Sequence, residues 1–199
     1  GAWRRLSDGG VSVRHAGARG TWDADDTAAF GKARDAAGPG GVVVVPPGVY
    51  RVHHLALATA GQTWLLHEGA VIKQAGGANG NLLWVTGTDI AIRGRGVIDG
   101  NGREQSAGGG TAIIAGGAHR LLIEGTVVRA TRSYGARIQD SDDVTIRGAR
   151  FVDTGGTAVE FFCTDADVVG ALVDGVQVDR SGRQDGGSGI KFSNNSRSG

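Results

Sequence analysis

The segment LLIEGTVVRA at residues 121–130 decides the fold, because it contains the unit that recurs along the chain. A short apolar strand ends in a glycine, and a second short apolar strand follows at once. The strand and its glycine recur as WLLHEG, IAIRG, VTIRG and, more loosely, LVDG at residues 64–69, 90–94, 144–148 and 172–175. The glycines at positions 69, 94, 125, 148 and 175 are therefore 25, 31, 23 and 27 residues apart. This period predicts stacked copies of one structural unit.

Each repeat contains three short strands. The second strand follows the glycine, and a third precedes the next copy, at residues 81–85, 111–115, 135–139, 158–162 and 189–193. Three strands in about 25 residues are typical of a parallel β-helix, in which alternate side chains point inward and stack as a continuous core. A propeller blade needs about 40 residues, so this spacing is too short for it. The sequence therefore predicts an all-β, right-handed parallel β-helix.

Composition excludes several classes of function. The 199 residues include 37 glycines and only three prolines, without a Gly-X-Y period, which excludes collagen and fits tight turns between strands. A formal net charge of +1 with scattered basic residues gives no electrostatic basis for binding nucleic acid. No apolar run has the length of a membrane span, so no membrane insertion is expected. The single cysteine, Cys163, follows two phenylalanines and is interpreted as a buried, inert thiol.

The two ends of the chain differ from the repeats. Residues 27–37 (TAAFGKARDAA) predict a helix with an aspartate N-cap, stopped by the GPGG that follows. Because a solenoid must close the end of its core, this helix is predicted to be a cap. Residues 1–41 are accordingly interpreted as a lead-in strand and capping helix, and residues 42–199 as the coils. The strand at 189–193 begins another coil, which predicts either truncation at the C-terminal end or a second chain that covers it.

Three segments carry a resemblance to a known family: VSVRHAGA at residues 11–18, DDTAAF at 25–30 and GGVVVVPPGVY at 40–50. They resemble the opening of the pectate-lyase superfamily, which includes polysaccharide lyases and hydrolases, alginate epimerases and phage tail proteins. The resemblance implies a polysaccharide or cell-surface glycan as partner, and an extracellular, secreted or virion-tail location. For a tail protein it also implies a homotrimer.

A fourth segment, GVIDGNG at residues 96–102, resembles a stretch common in polygalacturonase-like hydrolases. Its Asp-Gly and Asn-Gly pairs favour a structural role in tight turns. The catalytic motifs of those hydrolases are missing from the sequence, and so is the Asp-Pro-His-Glu motif of alginate epimerases, in whose place stand Arg137, Ile138, Gln139 and Asp140. The resemblance therefore implies a fold and a glycan partner without implying one particular enzyme.

Equivalent positions in successive coils stack about 4.8 Å apart, so a site in this fold is a column of side chains. Aligning the third strands of the repeats predicts an inward column of Ile114, Ile138, Phe161 and Phe192. The same alignment predicts two outward columns, one of Arg137, Glu160 and Lys191 and the other of Gln139, Phe162 and Ser193.

These outward columns have two interpretations. Alternating charges one rung apart suit an ion-pair ladder on a solvated sheet. In the other interpretation the columns line a glycan groove, in which Arg137 and Lys191 bind uronate carboxylates and Glu160 takes part in proton transfer. Gln139 and Phe162 would then contact the substrate.

The turn after the third strand holds a second group of candidates. The alignment places Asp142 beside Asp165 as a catalytic pair, with His119 one coil earlier as a substrate-binding residue. Two carboxyl groups about 5 Å apart suit a retaining glycosidase, and a separation of about 6.5–9.5 Å suits an inverting one.

The same turn also admits a cation or no function at all. No cofactor is expected, but Asp140, Asp142 and Asp165 could hold a Ca²⁺ ion, with Asp143 and Asp167 close by. Alternatively, these aspartates form Asx turns and accept backbone hydrogen bonds.

Aromatic residues are candidates for sugar stacking where they point outward. Trp84, Tyr134 and Phe162 qualify by position, although the apolar strand around Trp84 favours a core residue. His53 and His54 lack a third ligand at metal-binding spacing and are predicted to lie in a surface loop.

Two functions therefore remain open. One is an enzyme that cleaves a polysaccharide as a hydrolase or lyase, using Glu160, Asp142 and Asp165. The other is a non-catalytic module of a phage tail, which binds a receptor glycan or serves as a structural shaft.

Overall fold

The strands wind repeatedly around three faces, and each face is a parallel sheet. A computed structural model describes residues 9–106, 109–163, 170–182 and 187–194. Within these residues the three sheets contain seven, seven and six strands, and every strand pairs with its equivalent in the neighbouring coil. The predicted parallel β-helix is therefore confirmed.

The three sheets are numbered in the order in which the chain visits them. Sheet 1 consists of β1 (Val11–Ser12), β3 (Val42–Val45), β6 (Thr63–Leu66), β9 (Ala91–Gly94), β12 (Leu122–Glu124), β15 (Thr145–Arg147) and β18 (Leu172–Asp174). Sheet 2 consists of β2 (Thr21–Asp25), β4 (Gly48–Val52), β7 (Ala70–Gln74), β10 (Val97–Asp99), β13 (Val127–Arg129), β16 (Arg150–Val152) and β19 (Gln177–Asp179). Sheet 3 consists of β5 (Leu55–Leu57), β8 (Leu83–Val85), β11 (Ile113–Gly116), β14 (Ala136–Gln139), β17 (Val159–Cys163) and β20 (Ile190–Asn194).

The core consists of inward side chains that stack from coil to coil. In sheet 1 the register aligns four buried residues in one inward column, Trp64, Ile92, Ile123 and Ile146. Burying a side chain of this size contributes about 1.5–3 kcal/mol relative to leaving it exposed, so the stacked columns stabilise the coils. Cys163 is also buried, as the sequence predicts.

The repeated glycine has a conformational cause. It occupies the sharp turn from sheet 1 to sheet 2, where its φ angle is positive in every repeat, for example 112° at Gly94 and 72° at Gly125. L-residues with a side chain rarely adopt this region, whereas glycine does so readily. At Gly94 an added Cβ would also collide with the backbone of Leu66 in the preceding coil. The corner of the coil therefore requires glycine at this point.

Helix α1 (Thr27–Ala37) closes one end of the core, and its bounds are those predicted. Phe30 is fully buried on its inner face, with its ring centroid 5.4 Å from that of Tyr50 and 6.3 Å from that of Trp64. The capping differs in detail from the expectation, because the Asp26 carboxylate accepts hydrogen bonds from the backbone N–H groups of Arg19 and Gly20 (2.7 and 3.1 Å).

The two ends of the solenoid differ in how they are covered. Before the helix, β1 and β2 already pair with β3 and β4, so the lead-in segment contributes rungs to sheets 1 and 2. At the other end, Phe192 stacks on Phe161 at 4.9 Å but is 64% exposed, because no further strand among the described residues packs on it. Within the described part of the chain, no helix has the length and apolarity needed to cross a membrane.

Candidate functional site

The outer face of sheet 3 carries one continuous column of large side chains. Its register pairs Trp84 with Ile114, Ile114 with Arg137, Arg137 with Glu160, and Glu160 with Lys191. Arg137, Glu160 and Lys191 therefore share one column, as the sequence alignment predicts.

One position of that alignment was wrong. Ile114 was expected to point inward above Ile138, but it lies in the outward column, and Ala115 occupies the inward position opposite Ile138. Two isoleucines precede this alanine in β11, so apolarity alone does not show which of them faces the core. Pairing with the neighbouring strands decides the orientation.

Glu160 lies at the centre of the charged half of this column. Its side chain is only 3% exposed, although it points away from the core. One carboxylate oxygen is 3.4 Å from Lys191 Nζ and accepts a hydrogen bond from the Ser193 hydroxyl at 3.1 Å. The other lies 3.1 Å from Arg137 Nε without the alignment of a hydrogen bond, so this contact is electrostatic. Burial of a carboxylate requires such compensation by opposite charge and hydrogen bonding.

Arg137 is held by aromatic rings as well as by charge. Its guanidinium carbon lies 4.5 Å from the centroid of the Phe162 ring and 5.3 Å from that of Tyr134. Cation–π contacts of this kind favour a defined orientation of the guanidinium. Arg137 therefore has a defined position between two coils and remains partly accessible to solvent, with 29% of its side chain exposed.

The second outward column also has the predicted register. Gln139 pairs with Phe162 and Phe162 with Ser193, while Gly116 precedes them in the coil before. Gln139 and Phe162 are half-buried. Through the Ser193 hydroxyl and the Phe162 ring, this column contacts the charged residues of the first.

Trp84 lies on the outer face, which corrects the expectation that it belongs to the core. Its neighbours Leu83 and Val85 are buried, whereas its own side chain is 47% exposed. The His54 ring, in the exposed loop predicted from sequence, contacts the Trp84 ring edge-on with 6.0 Å between the centroids. A cleft of about 240 Å³, lined by residues that include Phe30, Arg34, His54 and Ala56, adjoins this pair beneath helix α1.

The turn between sheets 3 and 1 brings His119 and Asp142 together. They form successive bridges between coils, and His119 Nδ1 lies 2.5 Å from Asp142 Oδ2. Possible ligand atoms of His119, Asp142 and Asp143 lie within 4.8 Å of one another, so these three residues could hold a cation. A histidine nitrogen suits zinc or another transition metal better than Ca²⁺, which prefers oxygen ligands.

Other candidates of this turn are not part of that group. Asp140 adopts a positive φ of 46° at the end of β14, a conformation that aspartate tolerates better than most residues. Asp165 and Asp167 lie outside the described residues, so the catalytic pair of Asp142 and Asp165 stays a prediction, as does a Ca²⁺ ion near Asp140, Asp142 and Asp165.

A charged ladder that sequence reasoning missed runs along the outer face of sheet 1. It consists of Arg93, Glu124, Arg147 and Asp174, which alternate in charge along one register column. The shortest ion pair joins Arg93 and Glu124 at 2.6 Å, and the pairs made by Arg147 are 3.7 and 3.9 Å long. Each of these charged residues follows the inward Ile or Val of its strand, and this pattern was available in the sequence.

A further ion pair lies at the turn that enters sheet 1. Arg120 donates two hydrogen bonds to the carboxylate of Asp89, at 2.5 and 2.7 Å. The hydrogen bond from Arg120 lowers the pKa of Asp89 below its ordinary value of 3.8, and the same hydrogen bond raises the pKa of Arg120.

Comparison with known proteins finds relatives in structure only, since no protein-family model and no curated protein matches the sequence. The chain is similar to a family 28 exopolygalacturonase of Yersinia enterocolitica, at 16% identity and a TM-score of 0.62 over 84% of this chain and 48% of that one. It is similar to PfbA, a surface adhesin of Streptococcus pneumoniae, at 19% identity and a TM-score of 0.63 over 93% and 57%. ORF18 of Geobacillus virus E2 gives 17% identity and a TM-score of 0.60 over 94% and 40%.

These similarities concern the fold. The chain spans between 40% and 57% of the length of the three proteins, and every identity is below 20%. An enzyme, an adhesin and a virus protein share the architecture, and a fold does not by itself determine a function. The resemblance seen in the opening residues is thereby confirmed at the level of the fold: the chain is a parallel β-helix.

Proposed function

We propose that the outer face of sheet 3 binds a polysaccharide that carries acidic groups, with the polymer lying along the helix axis. The observation that carries this proposal is the column from Trp84 to Lys191, which combines an exposed aromatic ring with two cations around one enclosed carboxylate. Because the Glu160 carboxylate is almost fully covered, the charge that the column presents to solvent is positive. A positive surface attracts uronate or other anionic sugars.

The dimensions of the face suit an oligosaccharide. Trp84 and Lys191 are four strands apart along the column, a distance of about 19 Å at 4.8 Å for each strand. Sugar rings stack on exposed aromatic rings through their apolar faces, so Trp84 would bind one end of the segment. Arg137 and Lys191 would bind acidic groups farther along, and Gln139 and Phe162 would contact the polymer from the second column.

The structural neighbours support this ligand class without establishing it. One of them is by name an exopolygalacturonase, another is a surface adhesin and a third is a virus protein. We accordingly expect this chain to act in an extracellular setting or on a virion. A homotrimer, as in tail proteins, stays a prediction.

A second candidate function is cleavage of the bound polymer. The observation that favours it is the contact between His119 and Asp142, which are both partly exposed beside the second column. Carboxylates and imidazoles are the side chains that most often transfer protons in active sites, and here the two are in direct contact. Glu160 is less suited to this role as it lies here, because its carboxylate is enclosed by its cationic partners.

Binding is tested by affinity electrophoresis in gels that contain polygalacturonate, alginate, hyaluronan or a neutral dextran. The acidic polymers should retard the wild type, and Lys191→Ala should weaken the interaction several-fold by removing the most exposed cation of the column. The matched control is Arg93→Ala, which removes a similarly exposed cation from sheet 1. Equal losses in the two variants, or retardation by dextran alone, would contradict the proposal.

Cleavage is tested on whichever polymer binds, by following new reducing ends and the ultraviolet absorbance of unsaturated uronates. Reducing ends without absorbance identify a hydrolase, and both signals together identify a lyase. Asp142→Asn should abolish product release, whereas Asp89→Asn, in the adjacent column of the same turn, should leave it unchanged. Binding without any product would favour the non-catalytic receptor-binding module.

A further inference from the structure

A cavity lined by polar residues lies on another face of the solenoid, at the outer side of sheet 2. Its volume is about 380 Å³, near the lower end of the range for small-ligand sites. Its lining comes from the ends of several sheet 2 strands and the turns that follow them, and includes Lys73, Asp99, Asn101, Arg103 and Asp153. None of these residues belongs to the columns of sheet 3.

The wall of this cavity is built from buried and oriented polar groups. Asp99 is 5% exposed, accepts a hydrogen bond from the backbone N–H of Asn101 at 2.9 Å, and pairs with Arg129 Nε at 2.8 Å. Asn101 is also buried, and its side-chain amide donates to the Gln74 carbonyl and to the Glu104 carboxylate. These contacts hold a carboxylate and an amide in place at the cavity before any ligand arrives, which lowers the entropic cost of binding.

A strained aromatic residue contacts one of the cations that line this cavity. Trp22 has a φ angle of 68°, a rare conformation for a bulky residue and one that needs support from its surroundings. The Lys73 ammonium, which lines the cavity, lies 4.5 Å from the centroid of the Trp22 ring. The strained residue therefore helps to hold the Lys73 ammonium in place at the cavity.

We propose that this cavity is a second carbohydrate site, which takes a neutral mono- or disaccharide unit. Its lining contains two cations, Lys73 and Arg103, and two carboxylates, Asp99 and Asp153, so its charges are balanced. A balanced set of donors and acceptors matches sugar hydroxyls, which both donate and accept, and gives no net attraction to an anion. The contact between the Trp22 ring and the Lys73 ammonium orients one of the donors of this set. The preferred ligand therefore differs from the acidic polymer expected on sheet 3.

The test is a titration of the protein with maltose, cellobiose or lactose, followed by the backbone amide signals in nuclear magnetic resonance spectra. At least one of these sugars should give saturable shifts in the millimolar range at Gly102, Thr131 and Gly155, which line the cavity. Asp99→Asn should weaken binding at least tenfold. Because Asp99 is buried and its change could disturb folding, Arg103→Ala is the second variant: this exposed residue should lower affinity several-fold without affecting the fold.

The control variant is Lys191→Ala, which should keep the neutral-sugar shifts although it weakens binding of acidic polymers on sheet 3. Galacturonate and inorganic phosphate serve as anionic probes. The assignment is overturned if none of the neutral sugars gives saturable shifts, if the shifts arise only on sheet 3, or if an anionic probe binds the cavity more tightly than the sugars do.

Discussion

The outer faces of sheets 1 and 3 carry similar charges but present them differently. On sheet 1, Glu124 lies between Arg93 and Arg147, and both arginine side chains are about half exposed. On sheet 3, Glu160 lies between Arg137 and Lys191, but its side chain is 3% exposed, against 28% for Glu124. The two carboxylates therefore have the same kind of neighbours in the register and very different access to water.

Aromatic side chains account for part of this difference. On sheet 3 the rings of Tyr134 and Phe162 pack against the Arg137 guanidinium, whereas the charged rungs of sheet 1 have no ring contact among the described residues. Ion pairs in water contribute little, since solvation competes with them, but an enclosed carboxylate depends on its partners. A solvated ion-pair ladder, which is one interpretation of the alternating charges of sheet 3, lies on sheet 1. On sheet 3 the same alternation encloses Glu160 and fixes Arg137 between aromatic rings.

The largest expected effect concerns stability. Arg137→Met should lower the free energy of unfolding by about 3 kcal/mol, because the enclosed Glu160 carboxylate then loses one of its two cationic partners and keeps Lys191 alone. The matched change on sheet 1, Arg147→Met, should cost less than about 1 kcal/mol, since Glu124 and Asp174 both remain accessible to water. Equilibrium urea denaturation of both variants measures the difference. Similar losses in both would mean that enclosure of Glu160 has no energetic consequence, and the comparison would fail.

A smaller effect is expected for polysaccharide binding. Trp84→Ala should lower affinity for the acidic polymer about five- to tenfold, since stacking on an aromatic ring contributes roughly 1 kcal/mol. Leu65→Ala is the control, because Leu65 is an apolar residue in the outward column of sheet 1, next to Arg93. Isothermal titration calorimetry with oligosaccharides of the bound polymer gives both affinities. A loss of affinity in the Leu65 variant would place binding on sheet 1 instead.

The smallest effect is a pH dependence at the turn into sheet 1. The hydrogen bond from Arg120 lowers the folded-state pKa of Asp89 below 3.8, so this pair stabilises the fold fully above that pH and less as the pH falls through the lowered pKa. Asp89→Asn should therefore reduce the melting temperature slightly at neutral pH, and the gap to wild type should narrow as the pH falls below the ordinary carboxyl pKa of 3.8. Thermal melts at several pH values measure the gap, and a gap that widens on acidification would refute the assigned pairing.

Much of the architecture could be predicted because one turn repeats. Gly94, Gly125 and Gly148 all adopt positive φ angles at the same corner of the coil, so a local backbone requirement appears directly as a sequence period. The same period aligned Arg137, Glu160 and Lys191 in one column. It failed at Ile114 and Trp84, where consecutive apolar residues leave both orientations equally compatible with the pattern.

The sequence by itself determined the parallel β-helix, the capping helix and the shared column of Arg137, Glu160 and Lys191, since these follow from the repeat and from residues close together in the chain. Tertiary structure alone decided which charges are covered, because burial depends on neighbours contributed by other coils. Ser193, whose hydroxyl bonds to Glu160, is 33 residues away from it in sequence. The cavity of sheet 2 was equally unpredictable, because Lys73, Asp99 and Asp153 meet there from three different coils. Local backbone conformation is encoded locally, whereas enclosure from water is a property of the packed molecule.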